Sequence, residues 1–391
     1  LPLAGVKVVD LTQVMLGPCA TQMLGDYGAD VIKIERPGNG DLSRWSIPDD
    51  PAGLDNPVFC SLNRNKRSIA LDLRKEAARQ VVRELVGAAD VLINNFRAGV
   101  MERMGLGYEA VRAINPRIIY AYGTGFGPKG PYAHKGGQDV LAQALTGVMA
   151  RKSNPADPLS VYATALADYA AAMHLVQGIL LALLQRERTG EGQQVHVSLY
   201  DSMLAMQTQE ASMWMMRERH LNWGGMPLTG VFETRDGALV LVGAFKENPL
   251  RDISAALEIE DLSQEERFSS LPQMADHRAE LQAILRRRFA ERTTAEWLEA
   301  LERQDLLCAP VKSLPEALSD PQTLVNEMIV EVGHSTAGPV RMVGSPIHCS
   351  DIPFRVRHAP PRLGEHSEQI LAELGYEPER IAALRAEGVF Q

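Results

Sequence analysis

Hydrophobic and polar positions switch between two periods over the first third of the chain. Short apolar runs at Val6–Leu11, Asp30–Ile34, Ser68–Leu73, Val91–Asn94 and Arg117–Tyr122 predict five strands. Helical spacing over about Cys19–Tyr27 and Lys75–Val86 predicts helices between them. Apolar strands separated by helices imply parallel β-structure with crossover helices, an open α/β sheet of Rossmann-like type. Ligands of such sheets bind in the loops beyond the carboxyl ends of the strands. Here those loops are Thr12–Pro18, Glu35–Asp41, Asn95–Gly99 and Gly123–Gly137, rich in Gly, Pro, Asn and Arg.

Two longer helical patterns follow, at about Gln138–Ala150 and Ala163–Arg188, then a strand at Gln194–Leu199. A helix is expected over Asp201–Arg217, carrying Met203, Met206, Met213, Met215 and Met216 as adaptable core or subunit interface. Past Asn222 the character changes. Gly230–Thr234 and Ala238–Val242 flank Asp236-Gly237 and read as a hairpin. Amphipathic helices are expected at Pro249–Leu257, His277–Ala290 and Thr294–Gln304, with short strands and two terminal helices from about Pro310. This predicts a large α/β domain over residues 1–200, a smaller α+β domain over 225–310, and a return to the large domain over 330–391. Linkers fall near 200–225 and 310–330.

Composition narrows the function classes. The chain has 391 residues and a net charge of −9, with no dominant basic face to suit nucleic acid. Cys19, Cys60, Cys308 and Cys349 are scattered without metal or redox spacing, so neither a disulfide framework nor a metal site is expected. The first residues lack the charged-then-apolar order of a secretion signal, and a cytoplasmic protein is expected. The apolar segment Ala170–Leu184 is interrupted by His174 and Gln177 and is read as a buried helix, not a membrane span.

Candidate chemistry centres on Gly125–Gly147 and on Asp168. A Gly/Pro-rich loop with two lysines and a histidine runs into Asp139 at the start of a helical pattern. Asp168 interrupts a nearly uncharged segment, ATALADYAAAMHLVQGILLALL. A carboxylate there is paired, solvated by a cleft, or functional. Two such carboxylates flanking a glycine-rich loop suit a site for an acyl or anionic substrate. The structural alternatives are a helix cap for Asp139 and an ordinary core helix around Asp168. His174 reads as a satisfied core histidine, and Cys19 as a small buried filler rather than a low-pKa thiol.

Several motifs in one order resemble the class III CoA-transferase family (formyl-CoA transferase-like, CaiB/BaiF type). They are VIKIERPGNGD around Arg36, Asn65–Ser68 leading into IALDLR, NNFRAGVMERMG, GFGPKGPY before GGQDVLAQALTG, Thr189–Gln193, Cys308–Val311 and Leu363–His366. The resemblance spans the chain. It implies transfer of CoA from a donor acyl-CoA to an acceptor carboxylic acid, with Asp168 as nucleophile and mixed-anhydride and aspartyl-CoA thioester intermediates. Asp139 matches an acidic family position that could orient substrate or bias a proton. CoA contacts are implied for Met15, Leu16, Arg36, Leu71, Asp72, Leu73, Arg74, Asn95, Phe96, Arg97, Arg103, Lys135, Gly136, Gly137 and Gln138. Arginine and lysine in that set suit phosphates. An interlocked homodimer is implied too, and no metal, flavin or nicotinamide. Gly224 and Gly225 are the nearest equivalent of a longer glycine run that covers the intermediate in oxalate-specific members. The alternatives are a racemase, isomerase or dehydratase acting at the α-carbon of an acyl-CoA, or a CoA-binding protein without turnover. Gln138 stands where the racemase branch has a basic histidine, and glutamine exchanges no proton near neutrality.

Overall fold

In a parallel strand buried on both faces, successive side chains alternate between two cores. The first strands do so: Val8, Val91, Ile93, Ile119 and Ala121 pack on one side, Val9, Leu92 and Tyr120 on the other. The structure, a computed structural model, describes residues 1–47, 56–154 and 156–391, which include every candidate site residue. Strands β1 (Lys7–Asp10), β2 (Asp30–Glu35), β3 (Lys66–Ala70), β4 (Val91–Asn94), β5 (Ile119–Thr124) and β6 (Gln194–Ser198) form one sheet in the order β3-β2-β1-β4-β5-β6. All five pairings are parallel. The strand order reverses between β1 and β4, the place where such sheets open a crevice for ligands. One face is covered by helices Leu16–Asp26, Leu166–Thr189 and Leu199–Met206, the other by Glu76–Gly87, Tyr108–Ile114 and the C-terminal helices Ser367–Glu373 and Pro378–Ala386.

The described residues divide into two compact units, 1–148 with 161–207 and 322–391, and 149–160 with 208–321. The second unit holds a three-stranded antiparallel sheet of β7 (Thr229–Glu233), β8 (Ala238–Val242) and β9 (Leu307–Pro310). Phe232, Phe268, Phe289 and Trp297 fill its core, and the Trp297 indole donates to the Phe289 carbonyl at 2.8 Å. Strands β10 (Ile329–His334) and β11 (Gly338–Val343) form a hairpin in the first unit.

Several expectations shift. The helix expected over 138–150 runs only from Asp139 to Leu145, because Gly147 takes φ +83° and turns the chain. The helix expected over 201–217 is two, Leu199–Met206 and Thr208–Arg217, parted at Gln207, whose side chain donates to the Thr146 and Met203 carbonyls. The second unit begins at Thr208 rather than 225 and includes 149–160, since Arg151 pairs with Glu210 and Asn222 donates to the Lys152 carbonyl. Strand β9 went unread: it is short, edge-placed and ends in proline. The helix Leu166–Thr189 is long and apolar enough to cross a membrane. Its inner face lies on the sheet core, while Leu180, Leu181 and Leu184 are exposed.

The C-terminal residues hold the loop after β3, where Leu71 to Arg74 lie. Leu71 bridges to Phe390, the Asp72 amide donates to the Val389 carbonyl, and the Gln391 amide donates to the Ala70 carbonyl. Phe390 is buried. Phe390→Ala is expected to destabilise the protein by about 3–5 kcal/mol through the cavity it leaves. The midpoint of urea unfolding reads this directly.

Candidate active site

A carbonyl-rich loop stays in one conformation only if its polar groups find fixed partners. The loop after β1 finds them among buried charges. Asp10 accepts from the Thr12 amide at 2.8 Å, the Thr12 hydroxyl at 2.5 Å and the Thr21 hydroxyl at 2.6 Å. Lys66 lies 3.3 Å from Asp10 and donates to the Pro18 carbonyl and to Asn63. Lys33 donates to the Thr12 carbonyl and pairs with Asp41, both at 2.8 Å. Asp41 in turn accepts from the Val14 amide at 3.0 Å. Asn95, after β4, clamps Gln13 from both sides, accepting from its amide at 2.9 Å and donating to its carbonyl at 2.7 Å. Burial alone would push the Asp41 carboxyl up, but Lys33 and the hydrogen bonds outweigh it and hold it at about 2. Burial pulls Lys66 down to about 8 against the attraction of Asp10.

The second wall comes from the loop after β5. Two of its glycines are required by close approach: a Cβ on Gly137 would lie 2.2 Å from the Gly125 Cα, and one on Gly125 would lie 2.4 Å from the Gly137 Cα. The loop ends at helix Asp139–Leu145. Asp139 uses one oxygen to accept from the amides of Ala167 at 2.6 Å and Asp168 at 3.2 Å, and the other to accept from the Gln143 side chain at 2.5 Å. It therefore caps helix Leu166–Thr189, whose own N-cap, Ala165, has no capping side chain.

Asp168 lies in the first turn of that helix. Burial raises its carboxyl to about 6, the nearby Asp139 charge adds to the rise, and the polarity of the Leu16 backbone amide opposes it. Asp168 opens into a cavity of about 340 Å³ lined also by Met15, Leu16, Asn95, Phe96, Arg97, Lys135, Gly136, Gly137 and Gln138. This is the crevice between β1 and β4, extended under the loop after β5. Ten of the seventeen expected residues thus share one cavity.

The other expected residues lie elsewhere. Arg36, Leu71 to Arg74 and Arg103 follow the carboxyl ends of β2, β3 and β4, on the same sheet edge but outside that lining. Leu71 is buried, and Asp72 holds the exposed Arg74 through two bonds of 2.8 Å. Asp139 faces the helix amides and is also outside the lining. Among the described residues Arg36, Arg97 and Arg103 make no ion pair, and Lys135 stacks over the Tyr132 ring at 4.2 Å. His134 is exposed and absent from the lining. His174 is hydrogen bonded to Ser202 at 3.0 Å, and burial drives the Cys19 thiol up to about 11. Gly224 and Gly225 belong to the second unit, where Arg278 donates to the Gly224 carbonyl and Asn222 accepts from the Gly225 amide.

Sequence reading missed the residues that hold this site: Lys33, Asp41 and Lys66. Lys33 carried a signal, since a lysine inside the apolar strand VIKIE must be paired. Its partner, Asp41, is set only by the fold.

The raised carboxyl of Asp168 has a stability consequence. The folded state keeps its proton to about pH 6 while the unfolded chain releases it near 3.8, so stability falls as pH rises through that window and stays low above it. Asp168→Asn, which never ionises, is expected to gain stability relative to the wild type between pH 4 and pH 7. The gain is on the order of 2 kcal/mol. Thermal melting of both proteins across that range measures it.

Comparison with known proteins bears on the chemistry of the site. A model of CoA-transferase family III matches residues 3–367. A succinyl-CoA:glutarate CoA-transferase of Mus musculus is 36% identical over 398 residues, covering 100% of this chain and 90% of the relative. A formyl-CoA:oxalate CoA-transferase of Streptomyces coelicolor is 34% identical over 419 residues, covering 99% and 98%. The crystal structure of a CAIB/BAIF family protein from Brucella suis aligns with a TM-score of 0.85 at 33% identity, covering 95% of this chain and 99% of that one. With the match running through sheet, site loops and second unit alike, the chain belongs to CoA-transferase family III, enzymes whose substrates are CoA thioesters.

Proposed function

We propose that the protein moves CoA from a donor acyl-CoA to an acceptor carboxylate through covalent intermediates on Asp168. The observation that carries this reading is the setting of Asp168: a partly desolvated carboxylate in the first turn of its helix, opening into a cavity that also exposes cationic side chains. Desolvation makes a carboxylate a stronger nucleophile, and ionisation at about pH 6 leaves it charged at neutrality. An Asp168 oxygen attacks the thioester carbonyl carbon, the C–S bond breaks, and CoA leaves as thiolate. The product is a mixed anhydride. The thiolate then attacks the aspartyl carbonyl carbon and expels the donor acid as a carboxylate, leaving an aspartyl-CoA thioester. The acceptor carboxylate attacks that thioester and releases thiolate, which attacks the acceptor carbonyl and regenerates the Asp168 carboxylate. No step needs a proton, which suits a site whose second carboxylate is engaged by helix amides.

Arg97 and Lys135, with Arg36 and Arg103 farther along the sheet edge, supply positive charge for the CoA phosphates. Asp139 is a positioning residue: it fixes the helix start and raises the basicity of Asp168. α-Carbon chemistry would need a second base in the cavity, and Gln138 is not one. The apolar face left open by Leu180, Leu181 and Leu184, and the exposed Trp214, Met215 and Met216 of the second unit, fit burial against a second copy of the chain.

The substrate pairs carried by the relatives set the first panel: succinyl-CoA with glutarate and formyl-CoA with oxalate. Incubation with a true donor followed by hydroxylamine is expected to leave a hydroxamate on Asp168, seen by peptide mass spectrometry. Asp168→Asn should lose it together with at least about a thousandfold of activity. Adduct-free enzyme that exchanges the α-proton of an acyl-CoA with deuterated water would sink the transfer reading. The kcat/KM profile should rise through about pH 6, and Asp139→Asn, by removing the like charge, should move that limb to lower pH. Light scattering is expected to give twice the protomer mass; a monomer at micromolar concentration would refute the dimer.

A further inference from the structure

We propose that Gln143 is a positioning residue for the reaction: its carboxamide holds the Asp139 carboxylate on the backbone amides of Ala167 and Asp168, and so fixes where the nucleophile stands. This rests on the reading of Asp168 as the nucleophile.

Gln143 is fully buried, on helix Asp139–Leu145 and one turn after Asp139. A buried carboxamide is tolerated only when both of its ends find partners. Its nitrogen donates to one oxygen of Asp139 and to the Thr164 and Tyr162 carbonyls at 3.3 and 3.4 Å. Its oxygen accepts from the Tyr162 amide at 3.1 Å. The two ends are not interchangeable: the carboxylate and the carbonyls need a donor, and the Tyr162 amide needs an acceptor. An apolar side chain offers neither. Gln143 thus ties Asp139 to residues 162–164, the stretch of chain that leads into helix Leu166–Thr189.

The start of the nucleophile's helix hangs on these contacts. Its N-cap, Ala165, offers no side-chain bond, so the amides of Ala167 and Asp168 depend on the second Asp139 oxygen, at 2.6 and 3.2 Å. Among the described residues the first Asp139 oxygen accepts only from Gln143. The last torsion of an aspartate is broad, so a carboxylate keeps one orientation only while both oxygens are held. With the Gln143 bond gone, Asp139 is expected to turn and the first turn of the helix to loosen around Asp168. A misplacement of about 1 Å at a reacting group can cost about a hundredfold in rate. Gln143 lies outside the cavity lining, so its influence on the reaction passes through Asp139.

The test is a double-mutant cycle on the full chain: Gln143→Met, Asp139→Ala and the two together, alongside Asp168→Asn. Each is assayed with succinyl-CoA and glutarate and with formyl-CoA and oxalate. Gln143→Met is expected to lower kcat per folded molecule by about tenfold or more, and to change KM for the acyl-CoA less than kcat. Added to Asp139→Ala, it should cost no more than about twofold further, because the carboxylate it acts through is already gone. Unchanged kcat in Gln143→Met, or losses that multiply in the double variant, overturns the proposal. Activity surviving in Asp168→Asn would instead overturn the nucleophile reading beneath it. Amide hydrogen exchange gives a second readout that needs no substrate. In Gln143→Met the Ala167 and Asp168 amides should exchange about tenfold faster while protection in β4 is kept. Exchange that is unchanged there, or that rises equally in β4, counts against a positioning role. If circular dichroism shows that a single variant does not fold, Gln143→Leu and Asp139→Ser take their places in the same cycle with the same outcomes expected.

Discussion

Two buried lysines paired with two buried aspartates hold the loop that walls the candidate site, and the arrangement of the crevice depends on them. Lys33 and Lys66 project from neighbouring strands β2 and β3, Asp10 ends β1, and Asp41 comes from the loop after β2. In that setting a lone charge would be intolerable, so each charge demands its partner and each partner fixes a stretch of backbone. The loop from Thr12 to Leu16 is caught between them. A parallel sheet needs no such network to be stable, but a loop that lines a cavity in one fixed conformation does.

Helix Leu166–Thr189 meets that loop with its N-terminus uncapped by its own residues. Asp139, from the preceding helix, supplies the cap and brings a second negative charge beside Asp168. The arrangement satisfies the helix amides and at the same time makes Asp168 harder to ionise. One carboxylate is locked in place by hydrogen bonds while the other is left facing the cavity. The glycines at 125 and 137, whose backbones nearly touch, let the opposite loop lie close enough to close the crevice.

Much of this was legible beforehand for a plain reason. Alternation and apolar runs set the strands of the parallel sheet, and a charge inside the apolar segment around Asp168 marked a residue needing explanation. The glycine-rich loop and the residues after β4 were likewise visible as strand-end loops, and nine expected neighbours of Asp168 do line its cavity. Local pattern failed where the deciding contact is distant. Gly147 and Gln207 end helices that their own spacing would continue, and β9 is a strand because β8 is beside it. Asp139 reads as acid, base or cap from sequence, and only its distance to the Ala167 and Asp168 amides assigns it the last of these contacts.

Sheet class, strand-end loops and the unusual carboxylate at 168 follow from local pattern, because periodicity and residue type are properties of neighbouring positions. Motif order along the chain also carried the resemblance to the CoA-transferase family that the comparisons then established. Tertiary structure alone decided which charges pair. Lys33 with Asp41, Lys66 with Asp10 and Asp139 with the helix amides join residues eight, fifty-six and about twenty-eight positions apart. Such pairings follow from strand order and the crossing of loops at the β1–β4 crevice, where low dielectric makes each partner's position decisive.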